Sequence, residues 1–275
     1  VVGEETGDIK MGIDLILPAA RNELAKYVSA EIERIVPLLN TGALDRQQFA
    51  AAVIVAANEL KEASCTPESV LISAAHAAMI GLVPGRMMKL AYFIPRKLRK
   101  SDPKARCNLE ISYQGYINLA TRNNYLRWVY ADLVLQGEEF FVGVRGSRPV
   151  IEHAVPPERV LSAKAVRDRL VGAYCLYETA TGGLAHRYMS RAEINDVEKR
   201  GGPLWRGEFY PAMVRKTPVR AAANYWRLTA ELSLALRLEE QAELGEPQNL
   251  GVDLLPPPAE EKTIDLSVMD EDAAG

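Results

Sequence analysis

Lys216, Arg220 and Arg227 are the residues whose type and spacing most directly suggest a chemistry. At about 100° per residue they fall within about 40° of one another on a helix, as one basic stripe. Arg215 and Thr217 sit beside them, and no acid occurs between Glu208 and Glu231. A solvated helix usually mixes its charges as i,i+4 pairs. An unmixed stripe suits a polyanion lying along it; a core helix with one wet cationic face would read the same way. A second basic run spans Arg96 to Arg106 (RKLRKSDPKAR), in which Arg96, Lys97, Arg99, Lys100, Lys104 and Arg106 face only Asp102. Between two strands it fits a loop that captures backbone phosphates. Arg122 and Arg127 flank Asn123-Asn124 ahead of Trp128 and Tyr130, which share a strand face and fit either a stacking platform or the core.

Other chemistries find little support. No GxxxxGK[ST] motif is present, which disfavours an ATP-driven recombinase or helicase, and there is no HExxH or GxSxG. His76, His153 and His186 lie far apart in sequence. Glu138-Glu139 is a carboxylate pair, but adjacent strand residues point to opposite faces and cannot share a metal. Cys65, Cys107 and Cys175 form no metal or disulfide pattern and read as small buried hydrophobes of a reducing compartment. The expectation is no catalytic residue, no metal and no cofactor.

The net charge of −3 conceals an asymmetry. Residues 86–230 hold 25 Lys+Arg against 13 Asp+Glu, a surplus of +12, which leaves −15 for the flanks. A basic block between acidic flanks is the electrostatic footprint of nucleic-acid binding. With 48% hydrophobic and 25% charged residues the chain is globular in composition. No apolar run reaches membrane-spanning length and no signal peptide is visible, so the expected location is the cytoplasm of a bacterial host.

The elements that must position these residues read as α+β: a small, mainly antiparallel sheet with interposed helices, N-terminal helices and a long basic C-terminal helix. Helical patterns run from Ile13 to Leu39, from Asp45 to about Ala63, and from Thr66-Pro67-Glu68 to Gly81. Strand patterns cover 89–95, 106–112, 125–136, 139–144 and 150–153, with a hairpin at 170–189 and a short helix at 113–121. Ser190-Arg191-Ala192-Glu193 is a capping box. Pro218 leaves open whether the basic helix is kinked or split. The expected organisation is an N-terminal helical region (1–64) of packing and interaction elements, a nucleic-acid-binding core (65–238) and an acidic, Pro-rich tail (239–275), disordered from about 246.

In order along the chain stand AAHAAMIGLVP, Ala91-Tyr92-Phe93-Ile94-Pro95, and Ile111-Ser112-Tyr113-Gln114-Gly115-Tyr116-Ile117-Asn118-Leu119-Ala120. Gly137-Glu138-Glu139-Phe140, Tyr174, Met189-Ser190, Gly202-Pro203-Leu204-Trp205 and Met213-Val214-Arg215-Lys216-Thr217-Pro218-Val219-Arg220 follow. This series resembles the RecT branch of the RecT/Red-beta single-strand annealing proteins of phages and prophages, over roughly residues 65–230. Gln114 stands where that family usually has a basic residue, Asn118 replaces an acid, and Leu204 is inserted before Trp205. The resemblance implies a protein that binds single-stranded DNA and anneals it to its complement without a nucleotide cofactor, through an annealed duplex intermediate. It implies DNA contacts at Lys216, Arg220, Arg215, Thr217, Tyr113, Gln114 and Trp205, with Trp205 either stacking on a base or packing beneath the helix. It also implies a homo-oligomer, ring or helical filament, with the N-terminal helical region (1–64) making the oligomer contacts and the core (65–238) binding and annealing DNA. The acidic tail is open to recruiting a partner exonuclease or host single-strand-binding protein, or to solubilising the chain. The alternatives are a metal-dependent nuclease and a coat protein that binds without annealing.

Overall fold

Asn22 opens the first helix and ties it down. Its Oδ1 accepts from Ala25 N at 2.8 Å, and its Nδ2 donates to the carbonyls of Ala57 and Leu60 at 3.1 and 3.0 Å. These bonds hold α1 (Glu23–Ala30) against the end of α3 (Arg46–Asn58). The computed structural model describes residues 17–39, 45–61, 64–97, 101–122, 124–227 and 229–249. The single helix expected from Ile13 to Leu39 is broken: α1 ends at Ala30 with Glu31 as its cap, α2 is Ile32–Ile35, and a 3-10 turn at Val36–Leu38 carries Pro37.

α4 (Pro67–Ile80) is Ala-rich and mostly apolar around its circumference, and it is buried along most of its length. It stops at Gly81, whose φ of 68° is the left-handed conformation glycine adopts without steric penalty. β1 (Ala91–Arg96) and β2 (Arg106–Ile111) form an antiparallel hairpin with Arg96 opposite Arg106. The outward N–H groups of β2 are met by side chains. Cys107 N donates to Ser69 Oγ at 2.8 Å, Leu109 N to Gln248 Oε1 at 2.7 Å and Ile111 N to Glu239 Oε1 at 3.1 Å. In that register Pro95, opposite Cys107, turns its hydrogen-free nitrogen away from β2, where an edge strand tolerates proline.

Helix α5 (Tyr113–Thr121) follows, capped by Ser112 Oγ on Gly115 N at 3.0 Å. β3 (Leu126–Leu135), β6 (Leu170–Thr179) and β7 (Leu184–Ser190) make a three-stranded antiparallel sheet in the order β3-β6-β7. β4 (Glu139–Arg145) and β5 (Arg148–Ala154) form a separate hairpin. The fold is α+β with antiparallel pairing throughout the described strands, divided among three small sheets where one was expected. α6 (Ala163–Arg169), capped by Ser162, was not foreseen. The capping box opens α7 (Arg191–Arg200) as expected.

α8 (Tyr210–Ala223) runs through Pro218 as one helix, and α9 (Ala230–Leu244) starts afresh behind the Thr229 cap. α8 joins two cores. Tyr210 and Val214 belong to one with Leu133, Val166, Ile194 and Trp205. Val219, Ala222 and Ala223 belong to the other with α1 to α5, β1, β2 and α9. The tail expected to be unstructured from about 246 is held as far as Gln248, which is 4% exposed; residues 250–275 lie outside the described ones.

Candidate nucleic-acid interface

α8, α9, the end of β1 and the loop from Gly201 to Trp205 enclose a cleft of about 620 Å³. Two glycines let its walls close up. A Cβ on Gly201 would lie 2.1 Å from Trp205 Cδ1, and one on Gly202 would lie 3.1 Å from the Arg96 guanidinium carbon. Trp205 is 3% exposed and meets Tyr210 edge to face at 6.0 Å, so it packs beneath α8.

On the cleft floor Lys216 Nζ lies 2.6 Å from Glu239 Oε1 and 3.5 Å from Glu110 Oε2, all three side chains being 5–6% exposed. Glu110 also pairs with Arg96. Burial and the Glu239 charge push the Glu110 carboxyl above its ordinary range, against the pull of Lys216 and Arg96. Thr217 is buried and bonds the Met213 carbonyl four residues back at 3.0 Å. At the rim Arg220 pairs with Glu243, their side chains 23% and 29% exposed.

The uninterrupted solvent-facing stripe expected on α8 is therefore corrected. Lys216 is enclosed, and Arg215 turns away to Asp132 at 3.2 Å. Burial would raise the Asp132 carboxyl, but Arg159, the Leu133 amide and Arg215 hold it below its usual range. Arg227 lies beyond the end of α8, exposed. The stretch has no acids of its own; β2, β3 and α9 supply them.

Of the other expected contacts, Arg96 lines the cleft, and Lys97 lines a smaller recess that shares Arg96, Gly202 and Ala242 with it. Lys97, Lys104 and Arg106 are exposed at the end of the β1–β2 hairpin; Lys100 lies outside the described residues. Arg122 is a structural clamp, donating to the carbonyls of Ile80 and Gly81 at 2.6 and 2.9 Å to close the end of α4. Arg127 is exposed and reaches Glu178 at 3.0 Å, which also accepts from Trp128 Nε1 at 2.5 Å. Tyr130 is 50% exposed and Trp128 half-buried, so the pair sits at the partly open end of this strand face. Tyr113 and Gln114 start α5 and do not line the cleft. Arg96, Trp205, Lys216, Thr217 and Arg220 are thus brought together; Arg122, Arg127, Arg215, Tyr113 and Gln114 are not.

Arg200 and Arg237 also line the cleft. The position of Arg200 before Gly201-Gly202 was a usable signal, whereas Arg237 was hidden in an acidic flank. The buried cluster in which Glu138 meets His153 at 3.0 Å and Arg159 at 2.9 Å gave no sequence signal; it pins β5 to the sheet, and Glu138 does not work with Glu139. Among the described residues no His/Cys/Asp/Glu group is arranged to hold a metal ion, and no helix is long and apolar enough to cross a membrane.

Residues 47–249 match the RecT family. The chain belongs to that family. It is 26% identical over 217 residues to Protein RecT of Escherichia coli (strain K12), covering 74% of this chain and 76% of that protein. Membership supports single-stranded DNA binding, strand annealing and DNA recombination as the work of this RecT-family chain. The match includes all of α8 and α9, so both walls of the cleft are family structure.

Proposed function

We propose that this chain is an ATP-independent annealing protein that holds single-stranded DNA along the cleft and the adjoining hairpin end until a complementary strand pairs with it. The observation that carries this reading is the continuity of the surface. Arg96 links the exposed Lys97, Lys104 and Arg106 to the cleft whose rim carries Arg200, Arg220 and Arg237. Two strands repel, and cations that neutralise one backbone release its counterions and lower that barrier. Base edges then do the reading, so the protein contributes position and charge, with no covalent step. Homo-oligomers, as a ring or helical filament, would align successive clefts along one strand. An exonuclease or a host single-strand-binding protein would be engaged by the acidic residues beyond 249.

The test mixes two complementary labelled oligonucleotides with and without pure full-length protein, in the absence of ATP. The expected result is faster pairing, with both strands intact on a denaturing gel. Binding without acceleration would leave a coat protein, and strand loss on adding magnesium would point to a nuclease. Replacing Lys104 and Arg106 by alanine is expected to weaken binding to all sequences alike. The slope of log affinity against log salt should flatten by about 0.7 per lost contact.

A further inference from the structure

The ion pairs in the cleft occupy two levels, and the levels have different chemistry. On the floor, Lys216 lies between Glu110 and Glu239, and Glu239 also accepts from the Ile111 amide. Moving Lys216 onto a phosphate would strand two buried carboxylates, so this level is closed to a ligand. At the rim, Arg220 and Glu243 are partly exposed, and Glu243 has no other hydrogen-bond or ion-pair partner among the described residues. Arg200 and Arg237 line the same rim. In the adjoining recess the Asn108 amide nitrogen is buried, the residue 1% exposed, with no hydrogen-bond partner among the described residues. A free buried donor beside Arg96 and Lys97 marks a place for an acceptor such as a phosphate oxygen.

A carboxylate and a phosphate present the same face to a guanidinium. We propose that Glu243 gates the DNA cleft: its carboxylate holds Arg220 as a backbone phosphate would, and a single strand enters by displacing it. This rests on the annealing reading above, which makes single-stranded DNA the occupant. The gate opens by a side-chain swing, because α9 itself is anchored by Leu232, Ala235 and Leu238 in the core. A strand engaging the whole cleft offsets the displacement through its other contacts, whereas an isolated phosphate has none.

The experiment measures the affinity of full-length protein for a labelled oligothymidine by fluorescence anisotropy, in the native chain, E243Q, R220A and the double variant. Removing the competing charge is expected to tighten binding about two- to fivefold, the worth of a partly exposed ion pair. R220A should weaken binding more in the E243Q background than in the native one, by a similar factor, whereas a purely structural pair would show no such coupling. Unchanged or weaker binding by E243Q would overturn the gate. An E243Q chain that melts out of its fold would overturn it too, since a gate must open without unfolding its frame. If the native chain and every variant fail to bind, the annealing reading falls instead.

Discussion

Replacing Lys216 by methionine tests the central electrostatic assignment, because the stem length is kept and only the charge is lost. In the native chain Lys216 lies 2.6 Å from Glu239 and 3.5 Å from Glu110, with the three side chains 5–6% exposed. Without the ammonium, two buried carboxylates face each other, and Arg96 reaches only Glu110. Breaking a buried pair by removing one partner costs about 3–5 kcal/mol, a large fraction of the ~5–15 kcal/mol that holds a domain together. Urea denaturation near neutral pH should show that loss as a lower midpoint at unchanged slope. Acid should relieve it. The Glu110 carboxyl is already raised by burial and the Glu239 charge, and losing Lys216 raises it further. A carboxyl raised in the folded state binds protons more readily there than when unfolded. Stability is therefore regained as pH falls from the raised value toward the ordinary glutamate range near about 4.3, and lost as pH rises through the raised value. A loss below about 1 kcal/mol, or one that does not shrink on acidification, would refute the reasoning.

Other outcomes are open to direct measurement. Gln248→Ala leaves the Leu109 amide without its partner, and should cost about 1–3 kcal/mol with faster hydrogen exchange at that amide. Gly201→Ala drives a methyl into Trp205, and a melting curve should show a destabilisation of about 1–3 kcal/mol or more. Ser190→Ala removes the cap of α7 and should cost about 1 kcal/mol in chemical denaturation. The Glu193 carboxyl is held below its ordinary range chiefly by the Ser190 amide, so the native chain should lose stability as pH falls through that lowered value. Ser190→Ala keeps that amide, so part of this acid response should persist.

What was legible in the sequence was local. The start of α4 at Thr66-Pro67, the span of α5, the hairpin around Gly182-Gly183 and the Ser190–Glu193 box each depend on residues within a turn of one another. The length of the basic helix was not legible, because the chain leaves it at Asn224, and Arg227 never joins the stripe. α6 is short, and its one signal, the Ser162 cap, lies in a polar stretch that reads as loop. The acids that neutralise the cations were invisible for a plainer reason. Asp132 lies 83 residues from Arg215 and Glu239 lies 23 from Lys216, beyond the reach of any spacing rule. The basic hairpin end was readable because a loop between two strands keeps its charges in solvent whatever the rest of the fold does.

The outer side of β2 bears on how copies of this chain can meet. A bare strand edge is a template onto which another polypeptide adds by backbone pairing, the usual route to open-ended aggregation. Here Ser69, Gln248 and Glu239 take up the outward N–H groups of Cys107, Leu109 and Ile111, and Ser73 and Gln248 cover the carbonyls of Cys107 and Leu109. Side chains from three places in the fold thus blunt an edge that a third strand would otherwise extend. While Gln248 stays docked, neighbouring chains cannot zip onto this edge of β2. Shortening the chain before Gln248 should therefore free only the Leu109 amide and carbonyl, with Cys107 and Ile111 still covered from α4 and α9.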